Sequence, residues 1–165
     1  FLRQNDAFVE GFPILPIGLA RPDAVRLSLT EWELVLKPGD PVLHIHIPEG
    51  APLSAERVAH SFRMAPDFFR EHLGYSEVRA FTCGSWLLDN SLAQIQPQGN
   101  IAHFQQCFHL VPSKDANDGQ TRERVFDDPK ADILTAPCRT SLQKSILAWY
   151  RSGRRCRGAG GFILL

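Results

Sequence analysis

The stretch "GDPVLHIHIPEGAPLS", residues 39–54, joins a short alternating apolar pattern to a loop that contains two prolines. Successive side chains of a β-strand point to opposite faces of the sheet. His44 and His46 therefore share one face of the predicted strand, while Leu43 and Ile45 share the other. The stretch predicts a strand that buries one side and carries two imidazoles on the other.

The residues before this strand predict its partner in a β-hairpin. The pair Pro38–Gly39 suits the centre of a type II turn, since Pro fixes φ and Gly accepts positive φ. In the resulting register Glu33 faces His44, and Glu31 faces His46. A carboxylate beside an imidazole stabilises the charged ring, and histidine titrates near neutral pH. The two histidines are therefore candidate general bases, with an ordinary solvent-facing sheet surface as the alternative.

A metal site is a further alternative for the two histidines. Zinc takes at least three protein ligands, so the pair alone cannot hold it. His103, His109, Cys107 or Cys83 could supply the third ligand only if the fold brought one of them beside the pair, and the sequence does not indicate that. We expect no metal.

The composition describes one ordinary domain with balanced charge. The chain has 165 residues, 44% of them hydrophobic, with 18 basic and 18 acidic side chains. That balance argues against a general nucleic-acid or membrane-surface binder, and no apolar run approaches the roughly 18–20 residues that span a bilayer. Four cysteines without a CxxC pair predict reduced thiols and a cytoplasmic protein. The first residue is not Met, so we expect the numbering to start inside a longer or processed chain.

The remaining patterns predict helices interspersed among strands. Three prolines suggest that residues 1–30 are irregular, an N-terminal arm or linker remnant before a main domain over residues 31–165. A helix is predicted over residues 54–73, capped by Ser54 and Gly74, with a kink or a second helix at Pro66. Further predictions are strands over 78–88, 101–112 and 122–126, a helical turn over 91–96, a helix over 140–151 with a Thr140/Gln143 capping box, and a last strand over 162–165. This order predicts a mixed α/β or α+β sheet.

Two other stretches carry candidate chemistry. In "TCGSWLLD", residues 82–89, Cys83 or Ser85 could be a nucleophile, although the stretch lacks the G-x-S-x-G elbow; a buried structural cysteine is the alternative. In "RSGRRCRGAGG", residues 151–161, the arginines could hold a phosphate or form a solvated basic turn. The glycines of that stretch precede a strand instead of opening a helix, which is the wrong order for a P-loop.

Several short sequence motifs, in a fixed order along the chain, indicate a family resemblance. They are "GDPVLHIHIPEGAPLS", "FFREHLG", "FTCGSWLLD", "NIAHFQQCFHLVP", "RTSLQKSILAWYRSG" and the terminal "GGFILL". Together they resemble the GNAT-like C-terminal domain, which stands behind a distinct N-terminal domain in bacterial acyltransferase-domain proteins. The resemblance covers roughly residues 31–165.

The resemblance implies a GNAT-type mixed, largely antiparallel sheet flanked by helices. In that superfamily acetyl-CoA or another acyl-CoA lies between two splayed strands, here 42–47 and 78–88, with the pyrophosphate at the following loop and helix N-terminus, here 48–54. It implies an acyl transfer to an amine, with a small-molecule substrate or the upstream domain as partner. The implied cofactor contacts are Ile47, Gly50, Ala51, Leu53 and Ser54. The implied catalytic set is His46 or His44 as base, Glu31 and Glu33 as orienting groups, and Cys83 and Ser85 along the cleft.

The chain departs from the superfamily at the phosphate loop. The usual Q/R-x-x-G-x-G/A motif is replaced by "PEGAPLS", where Pro48 and Pro52 lack an N–H and Glu49 repels phosphate. Residues 89–91 also occupy the position where the superfamily usually has a tyrosine that acts as general acid. A second hypothesis is therefore a catalytically inactive GNAT-like module that binds a partner domain or a small ligand.

Overall fold

The computed structural model describes residues 2–112 and 117–165. The strands are β1 (Arg3–Gln4), β2 (Phe8–Gly11), β3 (Val25–Ser28), β4 (Val42–His44), β5 (Ala80–Ser85), β6 (His109–Pro112) and β7 (Ala159–Leu164). The helices are α1 (Ala55–Leu73), α2 (Asn90–Ile95), α3 (Asn100–Gln105), α4 (Gly119–Phe126) and α5 (Ser141–Arg151), and a 3-10 turn covers Trp86–Leu88.

The central sheet has four strands in the order β4-β5-β7-β6. β4 pairs with β5 in parallel, whereas β7 pairs antiparallel with both β5 and β6. A parallel pair needs a long crossover connection, and α1 supplies it between β4 and β5. The predicted mixed, largely antiparallel sheet flanked by helices is confirmed.

The first thirty residues are more regular than their prolines suggest. β1, β2 and β3 form a separate antiparallel sheet, so the expectation of irregular structure over 1–30 is wrong. The three prolines of this segment all fall between β2 and β3, where they interrupt no pairing. The segment also contacts the central sheet, because Leu110 N donates to Pro16 O at 2.9 Å and Ile17 bridges Leu110.

The predicted hairpin before β4 does not form. Residues 31–41 are described throughout and contain no strand, and β4 instead takes β5 as its partner. The Pro38–Gly39 turn itself is present, since Asp40 N donates to Lys37 O at 3.1 Å and Gly39 has a φ of 94°. A type II turn does not match the twist of hairpin strands. The register that set Glu31 and Glu33 against the imidazoles is therefore wrong.

Helix α1 follows its predicted bounds. It starts after Ser54 and ends at Gly74, which has a φ of 72°, the left-handed conformation that glycine adopts readily. Pro66 lies inside the helix, so a second helix starting at Pro66 is not observed. Val58 is buried and Phe62 is partly buried against the central sheet.

The predicted strand over 122–126 is helical in the structure, and so is the first half of the predicted strand over 101–112. Residues 101–112 divide into α3 and β6, and residues 122–126 belong to α4. Phe104, Phe108 and Leu110 nevertheless pack in one core cluster, as their shared face predicted. The capping box at α5 is confirmed, because Gln143 N donates to Thr140 Oγ1 at 3.1 Å and Thr140 N donates to Gln143 Oε1 at 2.9 Å.

Candidate active site

A cleft opens where β4 and β5 part. The two strands pair from Val42 to His44, and the last bond between them runs from Ile45 N to Thr82 O at 2.8 Å. Beyond this point β5 stays paired with β7 as far as Ser85, while residues 45–47 leave the sheet. The cleft that opens here measures about 740 Å³.

Three segments line this cleft. The first is residues 44–51 with Leu53, the second is residues 83–87, and the third is a face of α4 and its end, formed by Gln120, Glu123, Arg124 and Asp127. The strand-parting that the resemblance implied for 42–47 and 78–88 is thus present in the structure.

His44 and His46 lie on the cleft wall. Both side chains are exposed, whereas Leu43 is buried, so the alternation predicted for this strand is observed. The two rings sit edge to face with their centroids 4.8 Å apart, and His44 Nδ1 lies 3.3 Å from Thr82 Oγ1. Two imidazoles with accessible nitrogens can accept protons from a ligand bound in the cleft.

Glu31 and Glu33 are not brought to the imidazoles. They line a separate surface hollow together with Trp32 and Leu34, because the hairpin that would have carried them to His44 and His46 is absent. Among the described residues, neither glutamate forms an ion pair with a histidine.

Cys83 and Ser85 stand on the opposite strand of the cleft. Cys83 is buried, and this burial raises the pKa of its thiol to about 11, so the thiol is protonated at neutral pH. Ser85 Oγ accepts a hydrogen bond from Leu87 N at 3.2 Å. Gly84 between them is exposed, and a Cβ added there meets no atom within 4 Å. This strand therefore offers an open backbone face to a ligand.

The proline-containing loop forms the mouth of the cleft. Ala51 N donates to Pro48 O at 3.1 Å, and Gly50 adopts a φ of 71° in this turn. Ile47, Gly50, Ala51 and Leu53, which the resemblance implied as cofactor contacts, all line the cleft. Ser54 lies just beyond them at the N-cap of α1, and its side chain makes no capping hydrogen bond.

Sequence reasoning missed the third wall, which α4 provides. Gln120 Oε1 accepts a hydrogen bond from Trp86 N at 2.9 Å, which ties the helix to the segment after β5. Arg124 Nη1 lies 3.6 Å from Glu49 Oε2 across the cleft mouth. A usable signal was present in the sequence, since Asp118 and Arg122 have the i,i+4 spacing of a helical ion pair.

Two further observations bear on the class of site. Within residues 2–112 and 117–165, no group of three or more histidine, cysteine or acidic side chains could hold a metal ion. Over the same residues, no helix combines the length and apolar character needed to cross a membrane.

A parallel strand pair that parts beside the N-terminus of a crossover helix is the arrangement that the resemblance to the GNAT superfamily implied. The sequence model of the GNAT-like C-terminal domain matches residues 6–163, and the chain belongs to that family. The match includes most of the segment that was predicted as an N-terminal arm. A search of curated proteins found no match.

Solved acyltransferases share this fold. One, in complex with decanoyl-CoA, is 34% identical with a TM-score of 0.68, over 79% of this chain and 42% of its own. Another, in complex with decanoyl-CoA and teicoplanin, is 29% identical with a TM-score of 0.68, over 80% of this chain and 43% of its own. The chain therefore spans less than half the length of these acyltransferases.

Proposed function

We propose that this domain binds an acyl-CoA in the cleft between β4 and β5 and transfers the acyl group to an amine. The observation that carries the proposal is the parting of the two strands beside His44 and His46. The similar acyltransferase structures contain decanoyl-CoA, which supports an acyl-CoA donor and makes decanoyl-CoA the first compound to test.

The proposed reaction is a direct transfer between two bound substrates. The amine nitrogen attacks the thioester carbonyl carbon, a C–N bond forms and the C–S bond breaks. His46 or His44 accepts the proton released from the amine and passes it to solvent, and the departing CoA thiolate takes up a proton from solvent. Holding the amine beside the thioester provides much of the acceleration, and a general base adds about 10²–10⁴-fold.

The remaining cleft residues bind and shape the site in this proposal. Ile47, Gly50, Ala51 and Leu53 contact the donor, and Ser85 lines its path. Cys83 also lines the cleft, but its buried, protonated thiol is unsuited to attack on the thioester. Glu31 and Glu33 lie elsewhere, so the imidazoles act without the carboxylate partners expected from the hairpin. We further propose that the reaction takes place in the cytoplasm and that an upstream domain of a longer protein completes the acceptor site.

A catalytically inactive binding module remains the second candidate function. The observation that favours it is the loop at residues 48–54, where two prolines and Glu49 replace the usual phosphate-binding motif. Such a module would use the same cleft for a small ligand, or its surface for a partner domain.

The test is calorimetric titration of decanoyl-CoA, followed by measurement of free CoA thiol released in the presence of amines. We expect saturable binding by the wild-type protein and release of thiol with an accepted amine. The control is Gly84→Leu, which places a side chain in the open space beside β5 and should weaken binding without unfolding the domain. Absence of binding at millimolar decanoyl-CoA contradicts the proposal, and binding without transfer to any amine favours the inactive module.

A further inference from the structure

One ion pair joins two walls of the cleft at its mouth. Glu49 belongs to the loop after β4, and Arg124 belongs to α4; Arg124 Nη1 and Glu49 Oε2 are 3.6 Å apart. The side chains of Arg124 and Glu49 are 52% and 90% exposed. Exposed pairs of this kind are held weakly, so the guanidinium can exchange its carboxylate for another anion.

The loop at this mouth, residues 48–54, has no basic side chain to offer a phosphate, and two of its residues are prolines. Pro48 and Pro52 carry no N–H, and the N–H of Ala51 is already bonded to Pro48 O. Positive charge for a phosphate at this position must therefore come from outside the loop. Arg124 is the sole lysine or arginine among the cleft-lining residues of the described chain.

We infer that Arg124 is the phosphate-binding residue of the proposed acyl-CoA site and that Glu49 occupies it while the cleft is empty. This inference rests on the proposed function. When the acyl-CoA enters the cleft, a phosphate oxygen replaces the Glu49 carboxylate as the partner of Arg124. A planar guanidinium binds phosphate through two parallel hydrogen bonds. Arg124 thus replaces, from α4, the charge and donors that the usual backbone loop would provide.

The inference predicts effects of opposite sign from the two partners of one ion pair. Arg124→Gln removes the phosphate contact, so binding of decanoyl-CoA should weaken by about 10- to 100-fold. Glu49→Gln removes one of the two carboxylates that pair with Arg124, the other being Glu123 Oε1 at 3.5 Å from Arg124 Nη2, so binding should tighten by about two- to fivefold. The double variant should bind decanoyl-CoA more weakly than Glu49→Gln alone, because it lacks the arginine whatever stands at position 49.

The experiment is calorimetric titration of each variant with decanoyl-CoA and with decanoyl-pantetheine, which lacks every phosphate. The inference expects the three variants to differ with decanoyl-CoA and to match the wild type with decanoyl-pantetheine. Thermal unfolding of each variant serves as the folding control, since both side chains are on the surface.

The outcomes separate this inference from the proposed function. If the wild type binds decanoyl-CoA but Arg124→Gln binds it equally well, the inference fails and the proposed function stands. If both single substitutions weaken decanoyl-CoA binding, the pair is structural and the inference also fails. If the wild type binds neither compound, the proposed function fails and takes the inference with it.

Discussion

The cleft and a nearby cluster of polar side chains use their polar groups in opposite ways. The cluster is formed by Asp118, Arg122, Tyr150 and Cys156 and is called the Asp118 cluster. The Asp118 carboxylate accepts hydrogen bonds from Arg122 Nε at 2.8 Å, Arg122 Nη2 at 2.9 Å and Tyr150 OH at 2.8 Å. Cys156 N donates to the same tyrosine oxygen at 3.3 Å. On the cleft wall, the closest polar partner of His44 is Thr82 Oγ1 at 3.3 Å.

Helix α4 carries residues of both regions. Asp118 at its N-cap and Arg122 form the cluster, while Glu123, Arg124 and Asp127 line the cleft. The partly buried side chains of Asp118 and Arg122 are bonded to each other, so they stabilise the fold and have little capacity left for a ligand. An exposed polar group with few internal bonds adds little to stability and is free to bind. Substitutions in the cleft should therefore change activity, and those in the cluster should change stability.

The largest expected effect is on the cleft side of this comparison. His46→Ala removes a candidate base from the wall, and we expect kcat/KM for acyl transfer to fall by about 10²–10⁴-fold. His44→Ala tests the neighbouring ring in the same assay, and the ring that acts as base is the one whose loss lowers kcat/KM more. The free energy of unfolding should stay within about 0.5 kcal/mol of wild type, because both side chains are exposed.

The matched control is His103→Ala, which removes an exposed histidine of α3 that is outside the cleft. Its activity should equal that of the wild type. Full activity in both His44→Ala and His46→Ala would contradict the role of imidazole as base and would leave positioning of the substrates as the main source of rate.

The second-largest expected effect is on stability and concerns the Asp118 cluster. The Arg122 side chain that hydrogen-bonds Asp118 lowers the pKa of this carboxyl below its usual value. Because the folded-state pKa is the lower one, the ionised carboxylate stabilises the fold above the unfolded-state pKa of about 3.9, and that stability is lost as pH falls through the folded-state value. Asp118→Asn should lower the free energy of unfolding by about 1–3 kcal/mol at pH 7 and should reduce its fall below about pH 4.

Urea unfolding at pH 7 and at pH 3 measures both quantities. The control is Asp67→Asn, which breaks an exposed ion pair with Arg70 on α1 and should cost no more than about 1 kcal/mol. Binding of decanoyl-CoA should be unchanged in Asp118→Asn at pH 7. If Asp118→Asn matched the wild type in its free energy of unfolding at pH 7 and in the loss of that free energy at pH 3, the Asp118 cluster would not be a stabilising region distinct from the cleft.

Features set by neighbouring residues could be predicted from the sequence, whereas features set by distant segments could not. The alternation around His44 and the end of α1 at Gly74 are local properties, set by strand period and by the left-handed conformation of glycine. The capping box at Thr140 is local too. The sheet partner of β4 is not local, since β5 lies beyond a 19-residue helix, and a nearby turn made the wrong hairpin look favourable.

Helix α4, which forms one wall of the cleft, could not be predicted from its local pattern either. Its short apolar pattern at Val125 and Phe126 fits a strand as well as a helix, and only the pairing of Asp118 with Arg122 indicates the helical period. Because α4 was misread, Arg124 and the third wall of the cleft were missed. Glu31 and Glu33 were placed at the site for the converse reason, since their position depended on a register that the turn could not enforce.

The smallest expected effect concerns Cys83, which lines the cleft and also packs in the hydrophobic core with Leu88 and Phe108. With its pKa raised by burial to about 11, about one thiol in a thousand is ionised at pH 8. Iodoacetamide at pH 8 should therefore modify exposed Cys107 well before Cys83, as peptide mass mapping can show. Cys83→Ala should cost some stability through lost packing while acyl transfer falls by far less than the roughly 10²-fold expected for a lost catalytic group. A loss of activity as large as that of His46→Ala, in a variant that still binds decanoyl-CoA, would instead make Cys83 the nucleophile of a two-step transfer.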